Sequence, residues 1–200
     1  MELFDPGITD EPPPLTFKPL TPKSWPDFEV LFGPRGACAG CWCMFWKMEN
    51  KEFRTLAYEG NKAAQKALVD AGVIPGVLAY SGNKAVGWIA VEPREAYPRL
   101  ARSRILKPVD GQQVWSITCF FTLKDYRGMG VTVALLKAVI EHVKKHGGKI
   151  VEGYPIEPSE GKLPAVFAYT GLASAFRQAG FKEVKRNSLR RPIFRIGVAD

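Results

Sequence analysis

Residues 119–147 read CFFTLKDYRGMGVTVALLKAVIEHVKKHG, and this stretch decides the fold. It completes an apolar, β-branched and aromatic run over residues 114–123, which is typical of a buried central strand. Gly128 and Gly130 follow closely and favour a tight turn. Apolar residues then recur at helical spacing until Gly147. The stretch therefore predicts a strand, a glycine turn and an amphipathic helix in direct succession.

The glycine turn has the features of a phosphate-binding site. The first amides of a helix have no partner within it, and the helix dipole attracts negative charge to that end. Two glycines let an anion approach the backbone closely, and Arg127 adds a positive charge beside them. The turn lacks the Gly-Lys-Ser/Thr ending of a P-loop and the third glycine of a dinucleotide fingerprint. It therefore indicates a phosphate site of another class.

The rest of the chain predicts a single mixed α/β domain. The clearest further signal is a hairpin over residues 76–92, in which two apolar runs flank the turn Ser81–Lys84. Helical patterns occupy residues 24–32 (with Ser24 as the cap), 60–71, 94–104 and 171–179. Further strands are predicted from residue 149 and over 181–186 and 192–198. A flexible, proline-rich arm is expected over residues 1–15, with the domain covering 16–200.

Composition and charge favour a folded cytoplasmic protein. The chain is 46% hydrophobic and carries a net charge of +8. Residues 1–16 lack the basic start and apolar centre of a signal peptide, and no apolar run is long enough to span a membrane. Three of the four cysteines lie in one short loop, so we expect reduced thiols. The basic residues are scattered and come with no recognition motif, which does not favour nucleic acid as a partner.

The glycine turn resembles the cofactor motif of the GNAT superfamily of acetyl-CoA-dependent N-acetyltransferases. That motif is Arg or Gln, two residues, Gly, one residue, then Gly or Ala. Here Arg127 and Gly130 match it, and Thr132 stands where Gly or Ala is expected. Residues 175–184, AFRQAGFKEV, are similar to the family's next helix and strand. The resemblance implies a central, mostly antiparallel sheet with splayed middle strands, flanked by helices.

The resemblance also implies an activity, the transfer of an acetyl group from acetyl-CoA to an amine by direct attack in a ternary complex. The acceptor stays open between a small molecule and an amine of a peptide or protein. The backbone of Phe121 and Leu123 would bind the pantetheine arm of acetyl-CoA, the co-substrate. The pyrophosphate would be bound by backbone amides of Arg127, Gly128, Met129, Gly130, Val131 and Thr132.

The family's usual acid is missing from this sequence. Many members protonate the departing thiolate with a tyrosine four residues before the glycine of a terminal Gly-Phe pair. Here the pair is Gly180-Phe181, and Phe176 stands in place of the tyrosine. Tyr154 and Tyr169 are substitutes, and so is solvent, because a thiol with a pKa of about 8.5 leaves readily.

Two carboxylates at predicted strand ends, Glu152 and Glu92, are the candidates for the general base of the reaction. The alternative is that these are merely solvated charges. Glu152 and Tyr154 are the residues we predict to be catalytic.

The loop CAGCWC, residues 38–43, admits three interpretations. A zinc site would need a fourth ligand from Cys119 or a distant histidine, and a redox pair would use Cys38 and Cys41. The third is a packed loop in which the cysteines act as small hydrophobes, so no metal is predicted. The resemblance implies that this segment walls the acceptor site, and the predicted substrate contacts are Cys41, Trp42, Cys43 and Trp46.

Two wider questions stay open at this stage. A non-catalytic module that binds or senses acyl-CoA would need the same cofactor pocket, and the missing tyrosine favours it slightly. A homodimer is the common default for oligomers.

Overall fold

The computed structural model describes residues 14–158 and 165–198, which form one seven-stranded sheet with helices on both faces. The strands lie in the order β1-β2-β3-β4-β5-β7-β6, and only β4 and β5 pair in parallel. Their bounds are Leu15–Pro19 (β1), Gly76–Ser81 (β2), Lys84–Pro93 (β3), Trp115–Thr122 (β4), Ile150–Gly153 (β5), Lys182–Arg186 (β6) and Pro192–Gly197 (β7). The predicted mixed, mostly antiparallel architecture is confirmed.

Side-chain alternation along the strands builds two cores on opposite faces of the sheet. The helices are Trp25–Phe32 (α1), Asn50–Asp70 (α2), Pro98–Arg102 (α3), Val131–Lys145 (α4) and Ala173–Gln178 (α5). On one face, Ile89 packs with Leu135 of α4 and Phe176 of α5. On the other, Trp88 packs with Phe28 of α1 and with Trp42.

Most predicted elements lie where the sequence places them, but four features differ. The helix predicted over residues 94–104 is shorter, since α3 covers only Pro98–Arg102. Helix α2 begins at Asn50, well before the predicted start, and is interrupted at Ala57, where φ is +47°. Ser24 precedes α1 but does not cap it, because its hydroxyl donates to the Pro19 carbonyl at 2.9 Å. Leu15 already belongs to β1, and residues 1–13 of the expected arm lie outside the described residues.

The parallel pair β4 and β5 opens partway along its length. Three residue pairs join the two strands, and the last of them is Ile117 with Gly153. β4 continues to Thr122, and its pairing with β3 shifts around Thr118, which leaves that residue as a bulge. Beyond Ile117, none of the described strands pairs with the edge of β4 that faces β5, and the opening leads toward the start of α4.

Candidate active site

The turn before α4 presents a row of free amides. Gly128 and Gly130 have φ values of +82° and +73°, a region that favours glycine, and a Cβ on either would meet nothing within 4 Å. Within the described part of the chain, the amides of residues 128–133 donate no hydrogen bond. An anion can therefore reach several donors at the N-terminus of a 15-residue helix.

Arg127 has a different place from the one predicted. Its amide donates to the Lys124 carbonyl at 3.2 Å, and its Nε donates to the Thr122 carbonyl at 3.1 Å. The amide is therefore not free for an anion, which corrects the prediction for this residue. The guanidinium still lies exposed beside the turn, where its other nitrogens can face a phosphate.

The prediction for the pantetheine arm, which named the backbone of Phe121 and Leu123, is also corrected, because the amides that face the opening lie one residue away. The Leu123 amide donates to the Val86 carbonyl on β3 at 3.0 Å, and its carbonyl accepts from the Tyr126 amide at 3.0 Å. Because amides alternate sides along a strand, that of Phe121 also points toward β3. The amides that face the opening belong to Phe120 and Thr122.

The segment just before α5, residues 167–172, reaches across this opening. The Phe120 amide donates to the Tyr169 carbonyl at 2.6 Å, while Ile156 and Gly171 join the same segment to the chain that leaves β5. Burial raises the pKa of the Tyr169 hydroxyl, and the groups that influence it include Cys41, Cys119 and Trp46. Tyr169 therefore lies where the two strands diverge, next to the cysteine loop.

Glu152 and Tyr154, the two residues predicted to be catalytic, belong instead to a buried hydrogen-bonded network. Their side chains are 0% and 1% exposed. One Glu152 oxygen accepts from Arg94 at 2.9 Å and from the Tyr154 hydroxyl at 2.6 Å, and the other accepts from Arg195 at 2.7 Å. The Tyr154 hydroxyl also bonds Ser116 at 2.8 Å. Both groups are engaged and shut off from an acceptor, so the catalytic assignment is withdrawn.

Glu92, the other candidate base, is also paired. Its carboxylate bonds the ammonium of Lys47, and both side chains are almost fully buried. Burial raises the pKa of Glu92, and Lys47 opposes that effect. Lys47 therefore holds the carboxylate in place.

The cysteine loop is held in an unusual backbone conformation. Ala37, Ala39, Trp42 and Cys43 all have positive φ, which is rare for residues other than glycine. Trp42 is 2% exposed and stacks between Trp25 and Phe32, with ring centroids 6.4 and 5.6 Å away.

Cys43 accepts a hydrogen bond from the Trp88 indole at 3.0 Å and is also buried. Trp42 and Cys43 are thus core residues, which corrects their predicted role as substrate contacts. Cys41 and Trp46 are partly exposed and lie near Tyr169. Burial raises the pKa of Cys41 to about 12, so it is a thiol at neutral pH and a poor nucleophile. In residues 14–158 and 165–198, no cluster of three or more His, Cys, Asp or Glu is arranged to hold a metal.

A sequence model of the acetyltransferase (GNAT) family matches residues 41–157, which include the opening in the sheet and the glycine turn. The chain belongs to this family. The predicted membership of the GNAT family is thus confirmed, and the protein is an acyltransferase. A search of curated proteins found no match.

Solved structures with the GNAT fold are similar over nearly the whole chain. A GNAT-family acetyltransferase from Listeria monocytogenes is 8% identical, with a TM-score of 0.54 and coverage of 92% of this chain and 94% of that one. An N-acetyltransferase from Staphylococcus aureus is 9% identical, with a TM-score of 0.53 and coverage of 93% of this chain and 99% of that one. Arabidopsis thaliana NAA60 in complex with acetyl-CoA is 14% identical, with a TM-score of 0.50 and coverage of 92% of this chain and 100% of that one. At these identities the likeness shows the fold alone.

Each helix in the described residues is too short or too polar to cross a membrane.

Proposed function

We propose that the protein transfers an acetyl group from acetyl-CoA to an amine, by direct attack in a ternary complex. The observation that carries this proposal is the continuity of two donor sets. The outward-facing amides of β4 lead directly into the free amides of residues 128–133. A long ligand with a polar arm and a pyrophosphate fits this arrangement, because both parts find backbone donors along one path.

The residues that would bind the donor are close to those predicted. Amides of Gly128, Met129, Gly130, Val131 and Thr132 would bind the pyrophosphate, with the Arg127 guanidinium at their edge. The amides of Phe120 and Thr122 would bind the pantetheine arm. Since Tyr169 already accepts from Phe120, its segment must shift when the arm binds.

We assign the role of general acid to Tyr169. Its position supports this role, since Tyr169 lies where the two strands diverge, and its hydroxyl is protonated at neutral pH because burial raises its pKa above the ordinary value. The Phe176 side chain, at the position of the family's usual tyrosine, is fully buried against Phe181 and Phe194. Because Phe176 has no hydroxyl, it places no polar group that would need a hydrogen-bond partner among these rings. All four cysteines are free, which agrees with the reducing cytoplasmic location that we propose.

Thermal unfolding with acetyl-CoA, CoA and ATP tests the proposed donor. At about a hundred times its Kd a ligand adds about 2.7 kcal/mol, which is a shift of roughly 5 to 10 °C for a chain of this size. We expect both CoA species to shift the wild type and ATP to have little effect. Gly130→Glu should abolish the shift, because it places a carboxylate among the phosphate-binding amides.

Gly147→Glu is the matched control for this variant. Gly147 lies just beyond the other end of α4, with a φ of +75° and open space around its Cβ. The two variants therefore share the same backbone strain. If Gly147→Glu lost the shift as well, or if no CoA species stabilised the wild type, the donor site would be wrong.

A further inference from the structure

Arg99 of α3 is fixed by its surroundings. Its Nε donates to the Met48 carbonyl at 2.6 Å, and its Nη1 donates to Asn50 at 3.1 Å. The guanidinium lies over the ring of Phe45, 4.1 Å from the centroid, and 5.4 Å from that of Phe53. A guanidinium held by two hydrogen bonds and two aromatic rings has little freedom to turn toward another partner.

One nitrogen of this guanidinium is left without a partner. Nη2 is buried and makes no hydrogen bond to the described residues, and none of their carboxylates pairs with Arg99. The nearby Glu49 pairs with Arg102 instead. Burial lowers the pKa of Arg99, which reflects the cost of desolvating its charge. A buried, charged donor without an acceptor is costly, so this nitrogen needs an acceptor that the described residues do not supply.

Trp46 supplies a second donor of the same kind. Its indole Nε1 is buried and has no hydrogen-bond partner in the described part of the chain. The two residues are adjacent, since the Arg99 amide donates to the Trp46 carbonyl at 3.4 Å. The indole N–H faces the Tyr169 hydroxyl and lowers the pKa of that hydroxyl, but it does not meet it in hydrogen-bonding geometry, and Tyr169 in turn raises the pKa of Arg99. Both donors therefore lie beside the residue that crosses the opening of β4.

The local charge favours an anion at this place. Cys41, which also lies near Arg99, is protonated at neutral pH because burial raises its pKa to about 12. Arg191, which bonds Thr170 at 2.7 Å, adds positive charge next to Tyr169. A fixed planar cation beside an indole donor suits a carboxylate, because its two oxygens can accept from both.

We propose that Arg99 and Trp46 bind the carboxylate of the acceptor, so that the acceptor is an amino acid. This inference rests on the proposed function, because it assigns the substrate class of the same site. Its amine would be acetylated at the opening of β4, while its carboxylate is held beneath the Tyr169 segment. The shift of that segment when the donor binds would open the way to both donors.

The test compares each amino acid with its decarboxylated amine, for example phenylalanine with phenylethylamine and γ-aminobutyrate with propylamine. We expect wild-type kcat/KM to be at least tenfold higher for the amino acid of one such pair, since a hydrogen bond to a charged group is worth about tenfold or more. In Arg99→Gln this ratio should fall to about one, mainly through KM. Trp46→Phe removes only the indole donor and should lower the ratio part of the way.

Arg102→Gln is the matched control. It lies on the same helix, but its side chain is 70% exposed and pairs with Glu49 at the surface. It should keep the wild-type ratio. A wild type with no preference for amino acids, or an Arg99→Gln variant that keeps the wild-type preference, would overturn the inference.

Binding of the products separates failure of this inference from failure of the proposed function. Calorimetry with CoA present would compare N-acetylphenylalanine with N-acetylphenylethylamine on the wild type and Arg99→Gln. Tighter binding of the carboxylate by the wild type alone supports the subsite even if no amine is acetylated. Equal binding of both ligands rejects the subsite even if amines are acetylated.

Discussion

Replacing Glu152 with alanine separates a structural from a catalytic role for this carboxylate. The change leaves Arg94 and Arg195 buried, with side chains only 11% and 10% exposed. Removing one partner from a buried ion pair costs about 3 to 5 kcal/mol. Arg195 keeps Asp110 at 2.7 Å, and Arg94 keeps the Leu106 carbonyl. We therefore expect a loss near the lower end, about 3 kcal/mol.

The measurement is urea and thermal unfolding of the variant, together with kcat for the fraction that is folded. A loss of about 3 kcal/mol should lower the Tm by roughly 10 °C for a domain of this size. Glu152→Gln keeps one oxygen for Arg94 and Tyr154 and should lose about 1 to 2 kcal/mol. Glu157→Ala, at an exposed pair with Arg177, should lose less than about 1 kcal/mol.

The expected kcat of folded Glu152→Gln is within a few fold of the wild type. A fall of more than a hundredfold in kcat, with Tm unchanged, would refute this reasoning and restore Glu152 as a catalytic residue.

Three further changes test other parts of the structure. Tyr169→Phe keeps the carbonyl that bonds Phe120, so stabilisation by acetyl-CoA should persist while kcat falls roughly 100-fold or more; an unchanged kcat would exclude the tyrosine as the acid. Gly153→Ala places a Cβ 2.2 Å from the ring of Phe176 and should cost about 1 to 3 kcal/mol in urea unfolding. A hydrogen bond from Arg177 lowers the pKa of Glu157 to about 2, so its contribution to stability is present above the unfolded pKa of about 4.3 and is lost as pH falls toward 2. The Tm difference between the wild type and Glu157→Gln should therefore shrink over that pH range, and a constant difference would show that the ion pair contributes nothing.

The sequence predicts the local part of the site well. A strand, a glycine turn and an amphipathic helix over residues 114–146 are encoded by neighbours in the chain, and the structure has them at Trp115–Thr122 and Val131–Lys145. The choice of backbone donors on β4 was wrong by one residue. The side toward which each amide points depends on the pairing of Leu123 with Val86, which lies 37 positions earlier.

The sequence does not predict the roles of residues whose partners lie far away along the chain. Glu152 was predicted to be catalytic because it ends a strand, but its role is set by Arg94 and Arg195, which lie 58 and 43 positions away. Arg99 falls within the helical pattern predicted over residues 94–104, which does not distinguish it from its neighbours. Its orphan nitrogen follows from contacts with Met48 and Asn50, and no periodic pattern reports such contacts.

The cysteine loop shows a third limit. Its composition admits a metal site, a redox pair or a packed loop, because each needs the same residue types. The positive φ values and the burial of Trp42 and Cys43 depend on the aromatic cluster beneath them and on Asn61 of α2, which donates to the Gly40 carbonyl at 2.9 Å. The sequence of the loop alone does not indicate these partners.

Release of free CoA thiol in the presence of acetyl-CoA and a panel of amines, amino acids and peptides tests the proposed transferase most directly. We expect release that requires both acetyl-CoA and an amine, gives a product 42 Da heavier than the acceptor, and is lost in Gly130→Glu but kept in Gly147→Glu. Binding of acetyl-CoA without thiol release for any acceptor would contradict the proposal and indicate a module that only binds acyl-CoA.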